Sequence, residues 1–180
     1  SFDNYSVVLF HPVTTEQFRL QQDSEVFVSS MLEDTGNYVV IYPNNDMGTS
    51  TILTAYEALK GNPRFKIFPS LRFEYFLRLL KNSDFMIGNS SAGIREAPYY
   101  GIPSINLGSR QKNRAFGETI IHADFDKTSI KESIAIARNM GKCDPKFDFG
   151  NGNSSEQFFK IISSPEFWES AHQKQFNDLN

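Results

Sequence analysis

The sequence predicts a doubly wound α/β fold, a parallel sheet with helices on both faces. Three observations predict it. Strand and helix patterns alternate five or six times at roughly 20–30-residue spacing, which calls for crossover connections and hence parallel strands. The strands are short continuous apolar runs, such as Val7-Val8-Leu9-Phe10 and Tyr38-Val39-Val40-Ile41-Tyr42, so both of their faces expect burial. Three polar turns, at His11, at Asn44 to Gly48 and at Gly88 to Gly93, each follow a strand. In a parallel sheet such turns share one edge, where ligands bind.

Ser6–Phe10 is the first strand. His11-Pro12-Val13-Thr14-Thr15 ends it, because Pro12 resists continuation, and Thr14 or Thr15 is placed to cap a helix from Glu16 to about Leu32. That helix carries a loose apolar face of Leu20, Phe27 and Met31. Tyr38–Tyr42 is the second strand, and the turn after it leads into a helix with Ile52, Tyr56 and Leu59 on one side. Gly61-Asn62-Pro63 stops that helix, and Phe65–Phe68 is the third strand. Pro69-Ser70 starts a helix whose Phe73, Phe76, Leu77 and Leu80 recur at i, i+3, i+4 and i+7.

The stretch from Phe85 to Arg114 holds the fourth strand (Phe85-Met86-Ile87), a turn of small residues, a helix through Ile94-Arg95-Glu96-Ala97, and a fifth strand begun at Pro103. Thr119–His122 is a short sixth strand. Ser129 with Glu132 forms a capping-box pattern for a helix bearing Ile130, Ile134 and Ala137. After Met140 the composition changes. The first domain is therefore placed at 1–141, and 142–180 is a polar, Gly-rich crossing loop followed by tail helices at Glu156–Ile162 and from Pro165 to about Asp178.

Composition narrows the function. The chain has 180 residues, enough to bury a sizeable core as one domain. A net charge of −3 without a basic stripe argues against nucleic acid. The longest apolar runs are about five residues, too short to span a membrane, and the opening residues lack a charged segment followed by an apolar one, so no secretory signal is expected. One cysteine, Cys143, cannot form an internal disulfide, so a cytoplasmic setting is expected. The three histidines are far apart and suggest no metal cluster; no cofactor is expected. P-loop, Gly-x-Gly-x-x-Gly and Gly-x-Ser-x-Gly motifs are absent.

The candidate site residues lie in the polar turns. At Gly88-Asn89-Ser90-Ser91-Ala92-Gly93, small side chains admit a ligand to the backbone, and the first N–H groups of the helix offer an anion site. Glu96 could accept hydroxyl hydrogen bonds from a group lying across that turn. The competing reading makes the serines a simple N-cap and Glu96 a solvated first-turn acid. His11 could meet phosphate or transfer a proton, or be a satisfied structural residue. Arg110 and Arg114, flanking Gln111, could contact phosphate or stay solvated. Asp46 and Glu96 are the only carboxylates on this edge, and neither has a catalytic partner: the chain reads as half a site.

The motifs HPVTTE, YPNND-x-G, PSLRFEYFLRLLKNSDFMIGNSSAGIREAPYYGIPSINLGSRQ-x-x-R and FGNGNSSEQF together resemble the C-terminal half of the hydrolysing UDP-N-acetylglucosamine 2-epimerases, nearest the branch serving sialic and related nonulosonic acids. The resemblance implies the Rossmann-like second domain of a GT-B fold, with UDP-sugar in a cleft facing an N-terminal domain that this chain lacks. It implies anti elimination of UDP to give 2-acetamidoglucal, then water addition at C1, with no metal or nicotinamide. By motif, Ser90 and Ser91 match the serines that hold the diphosphate, Glu96 the ribose carboxylate, His11 the cleft histidine needed for activity, and Asn44 the cleft asparagine. Arg110 matches the arginine after the fifth strand. The family's acid/base carboxylates would lie outside this chain.

The non-hydrolysing bacterial branch has His-Arg-Arg-Glu-Asn where this chain has His11-Pro12-Val13-Thr14-Thr15. Those arginines help bind an activating second UDP-sugar, so no such activation is expected. Two rivals stay open, a UDP-sugar glycosyltransferase domain and a non-catalytic nucleotide-sugar-binding module. Also open are UDP-N-acetylglucosamine against a diacetamido analogue, and the oligomeric state, a homo-oligomer included.

Overall fold

Strands β1 to β6 are Ser6–Leu9, Tyr38–Ile41, Phe65–Phe68, Met86–Gly88, Ser104–Leu107 and Ile120–Ala123. In this computed structural model, which describes residues 2–114 and 117–169, they form a six-stranded sheet ordered β3-β2-β1-β4-β5-β6. Every pair is parallel. The doubly wound class is therefore as expected. The order reverses between β1 and β4, so the crevice expected to take ligands opens there.

Helices α1 (Leu20–Glu33), α2 (Thr49–Tyr56) and α5 (Lys127–Met140) enclose one face of the sheet, while α3 (Phe73–Lys81) and α4 (Ala92–Tyr99) enclose the other. Strand periodicity divides β1 between them. Val8 joins Phe27, Met31 and Ile134 in one core, and Val7 joins Phe76, Leu80 and Ala97 in the second. Both valines are fully buried, which is why β1 reads as an unbroken apolar run. Burying such a side chain contributes about 1.5–3 kcal/mol.

Three helix readings need correction. The first helix starts at Leu20 rather than Glu16, and neither threonine caps it. Residues 13–19 are instead held in turns by tertiary bonds, with Gln17 Nε2 donating to the Met47 carbonyl at 2.9 Å and Ser109 Oγ to Glu16. α5 starts earlier than its capping-box pattern suggests: Asp126 is the cap and accepts from the Ser129 N–H at 2.8 Å. Ser129 Oγ accepts from the Asp124 N–H and is not itself the cap. Phe73, assigned to the apolar face of α3, is 60% exposed.

The chain divides into two compact units, the first ending at Lys146. Residues 142–146 belong to the first because the Cys143 N–H donates to the Gly101 carbonyl at 2.7 Å and the Lys146 N–H to that of Pro98 at 2.9 Å. The second unit begins at Phe147 and contains α6 (Ser154–Ile162) and α7 (Pro165–Trp168). The expected continuation to Asp178, and His172 with it, lies outside the described residues. Among the described residues no helix is long and apolar enough to cross a membrane.

Candidate functional site

A cleft of about 550 Å³ opens at the carboxyl ends of the strands, where β1 and β4 lie side by side. His11, Asn44, Ser90, Ser91, Glu96 and Arg110 all line it, so six of the seven predicted site residues converge. Asp46 does not line it. Its side chain is exposed, and it bears on the cleft only through its charge on His11 and Arg110. The cleft wall also includes Tyr42, Pro43, Pro69, Leu71, Phe73 and Phe76. Sequence reading put Phe73 and Phe76 on one face of α3 without saying what that face meets. Their i, i+3 spacing cannot distinguish a core face from a cleft wall.

β4 ends at Gly88, whose φ of 144° lies in the region that favours glycine. A Cβ there would stand 2.1 Å from the Leu9 carbonyl oxygen, so β4 approaches β1 this closely only without a side chain. Asn89 follows, fully buried. Its Oδ1 accepts from the His11 N–H at 2.7 Å, and its Nδ2 donates to the His11 carbonyl at 2.8 Å.

At the start of α4 the donors are distributed differently from the sequence expectation. The Ala92 N–H donates to Ser90 Oγ, the Gly93 N–H to the Ser90 carbonyl, and the Ile94 and Arg95 N–H groups to the Ser91 carbonyl. Among the described residues no acceptor serves the N–H groups of Ser90 and Ser91, which directly precede the helix. Both residues are half-exposed to the cleft. The helix dipole adds partial positive charge there.

His11 is 4% exposed. Its Nδ1 accepts from the Asn44 N–H at 3.1 Å, so the proton of the neutral ring sits on Nε2. Burial first, then the Arg110 charge, lower its pKa to about 4, with Asp46 opposing them. At neutral pH it is thus an uncharged donor, not a cation. Arg110 Nη1 donates to the Asn89 carbonyl at 3.1 Å and pairs with no carboxylate among the described residues. Burial lowers its proton affinity, Asp46 opposing and Arg114 reinforcing the effect. The buried Gln111 donates to the same carbonyl at 3.0 Å and accepts from Arg114 at 3.4 Å. Glu96 is half-buried without a hydrogen-bond partner among the described residues.

Two free amides, a neutral imidazole N–H and an unpaired guanidinium suit an oxyanion of more than one charge. Glu96, across the same cleft, suits hydroxyls. The described residues contain no group of three or more His, Cys, Asp or Glu placed to hold a metal.

In architecture the first unit is the Rossmann-like second domain of a GT-B-type α/β protein. The family model of UDP-N-acetylglucosamine 2-epimerase matches residues 1–163. The chain belongs to the UDP-N-acetylglucosamine 2-epimerase family. It is 46% identical to a Neisseria meningitidis serogroup B protein of that name, over 99% of this chain and 48% of the relative. It is 33% identical to the Escherichia coli polysialic acid biosynthesis protein P7, over 87% of this chain and 39% of that protein. The Methanocaldococcus jannaschii UDP-GlcNAc 2-epimerase, solved in complex with UDP-GlcNAc and UDP, superposes with a TM-score of 0.66 at 20% identity, covering 89% of this chain and 45% of that one. The chain spans about half the length, or less, of the curated relatives it matches.

Proposed function

We propose that this chain is the UDP-binding half of a hydrolysing UDP-N-acetylglucosamine 2-epimerase that makes N-acetylmannosamine for sialic acid-type sugars. Residues 1–141 would bind the nucleotide, and 142–180 would reach back to a partnering N-terminal domain. The observation that carries the reading is the convergence, on one cleft, of Ser90 and Ser91 with their unbonded amides, His11, Arg110 and an unpartnered Glu96.

In the proposed reaction the C1–O bond to UDP breaks as the C2 proton leaves, and water then adds OH to C1 and H to C2. Donors on the diphosphate stabilise the charge that develops on the departing UDP. Ser90, Ser91, Arg110 and His11 fill that role, Asn44 fixes the His11 tautomer, and Asp46 tunes the charge at the rim. Glu96 would hold the ribose hydroxyls. Among the described residues Glu96 is the one carboxylate lining the cleft and it is assigned to the ribose, so a base for C2 would come from the other half of the protein. The expected setting is the cytoplasm, where the UDP-sugar is soluble substrate.

The hydrolysing outcome is supported by His11-Pro12-Val13-Thr14-Thr15, which carries no arginine to hold a second UDP-sugar. A Legionella pneumophila relative, 27% identical, is named a hydrolyzing UDP-N,N'-diacetylbacillosamine 2-epimerase. The test joins the chain to the residues encoded upstream and supplies UDP-N-acetylglucosamine without an acceptor. N-acetylmannosamine plus UDP is the expected product. UDP-N-acetylmannosamine would assign a non-hydrolysing epimerase, and an absolute need for an acceptor sugar would assign a glycosyltransferase.

A further inference from the structure

We infer that Asn89 is a positioning residue that holds His11 in its cleft-facing, Nε2-protonated form by extending the β1–β4 ladder with a side-chain amide. The regular ladder ends at the pair Leu9 and Gly88, with the Asn89 N–H donating to the Leu9 carbonyl at 3.3 Å. Beyond it the two chains diverge, since the switch point is where the sheet stops supplying partners. The next rung would leave the backbone N–H and carbonyl of the buried His11 unsatisfied, at a cost comparable to two lost hydrogen bonds. The Asn89 carboxamide supplies both, at 2.7 and 2.8 Å, with the donor-acceptor pattern of a peptide group.

Only Asn fits this task without rearrangement. Aspartate has no donor for the His11 carbonyl and adds a charge, while Gln is one methylene too long for a fully buried site. The Asn89 main-chain carbonyl simultaneously accepts from Arg110 and Gln111, so one buried residue fixes the spacing between the β1 and β5 turns. With the His11 backbone pinned, its Nδ1 meets the Asn44 N–H, which leaves the proton on Nε2 of a ring that lines the cleft. Arg110 and Asp46 are the charged groups bearing on the ring.

The inference rests on the UDP-sugar reading for its catalytic meaning but not for its test. Long-range proton–nitrogen spectra of the histidine-labelled chain should show an Nε2–H tautomer for His11 at pH 7 and a titration midpoint near 4. In Asn89→Asp and Asn89→Ser variants that still unfold cooperatively, a mixed tautomer signal and a midpoint climbing toward the ordinary 6.5 are expected. A lowered melting temperature with the tautomer and midpoint unchanged would reduce Asn89 to packing and overturn the inference. Should neither variant fold, exchange of the wild-type Asn89 side-chain N–H protons decides. Protection of about a hundredfold or more supports the inference, and exchange at the solvent rate overturns it. A parallel calorimetric titration of the wild-type chain with UDP reports separately on the functional reading, since absence of binding there leaves the tautomer result standing.

Discussion

The two ends of the sheet use charged residues in opposite ways. At the amino ends of the strands, Asp34 accepts from Arg138 at 2.7 and 2.5 Å, from the Gly36 N–H at 2.8 Å and from Tyr38 Oη at 2.7 Å. Arg64 donates there to the carbonyls of Leu32, Asp34 and Gly36. Every charge in that cluster has its partner. At the carboxyl ends, Arg110 spends one bond on a carbonyl, Glu96 has none among the described residues, and the Ser90 and Ser91 amides stay open. A saturated polar network holds the fold together, whereas an unsaturated one is available to a ligand. Position in the fold, not residue type, separates Arg110 from Arg64 and Arg138.

The largest expected effect breaks the saturated end. Asp34→Ala strands Arg138 and the Tyr38 hydroxyl and should cost about 3 kcal/mol of stability in denaturant unfolding. UDP affinity of the folded fraction should stay within about twofold, and a large change there would mean that the two ends are coupled. Glu96→Gln is the converse. It should weaken UDP binding by roughly 1.5–3 kcal/mol, about ten- to a hundredfold by calorimetry, and shift stability by less than about 0.5 kcal/mol. Unchanged affinity would remove Glu96 from the ribose site.

Acid unfolding should separate the ends by pH. Burial raises the Asp34 pKa, but the bonds from Arg138, Gly36 and Tyr38 outweigh it and hold the carboxyl near 2, below the usual 3.8. Its contribution is therefore complete above pH 3.8 and lost as pH falls toward 2. The folded pKa of His11 is also lowered, from 6.5 to about 4, and for a base this means the unfolded chain binds its proton first. Stability should thus decline from pH 6.5 to about 4 through His11, and His11→Gln should abolish that upper step while leaving the lower one. A single step in the wild type would merge the two ends. The smallest effect is expected from Arg110→Lys, which keeps the charge and loses the planar fork. About 1 kcal/mol of UDP affinity should go, about fivefold by titration.

The cleft was partly readable before folding because its residues sit in turns after strands, and turns of a parallel sheet gather on one edge whatever the details. Asn89 was legible as part of a small-residue turn but not as a clamp, since its partner, His11, is 78 residues away. The aromatic wall went unread for the same reason: helical spacing names a face of α3 without naming what lies opposite.

Local chemistry alone settled the strand and helix alternation, the parallel sheet, the turns that hold Ser90, Ser91 and Arg110, and the helix that carries Glu96, because apolar runs and turn residues act over a few neighbours. The strand order, the tautomer of His11, and which amides remain unbonded were decided by the assembled structure. Each depends on groups brought together from distant segments, and hydrogen bonds at 3 Å cannot be inferred from a linear spacing.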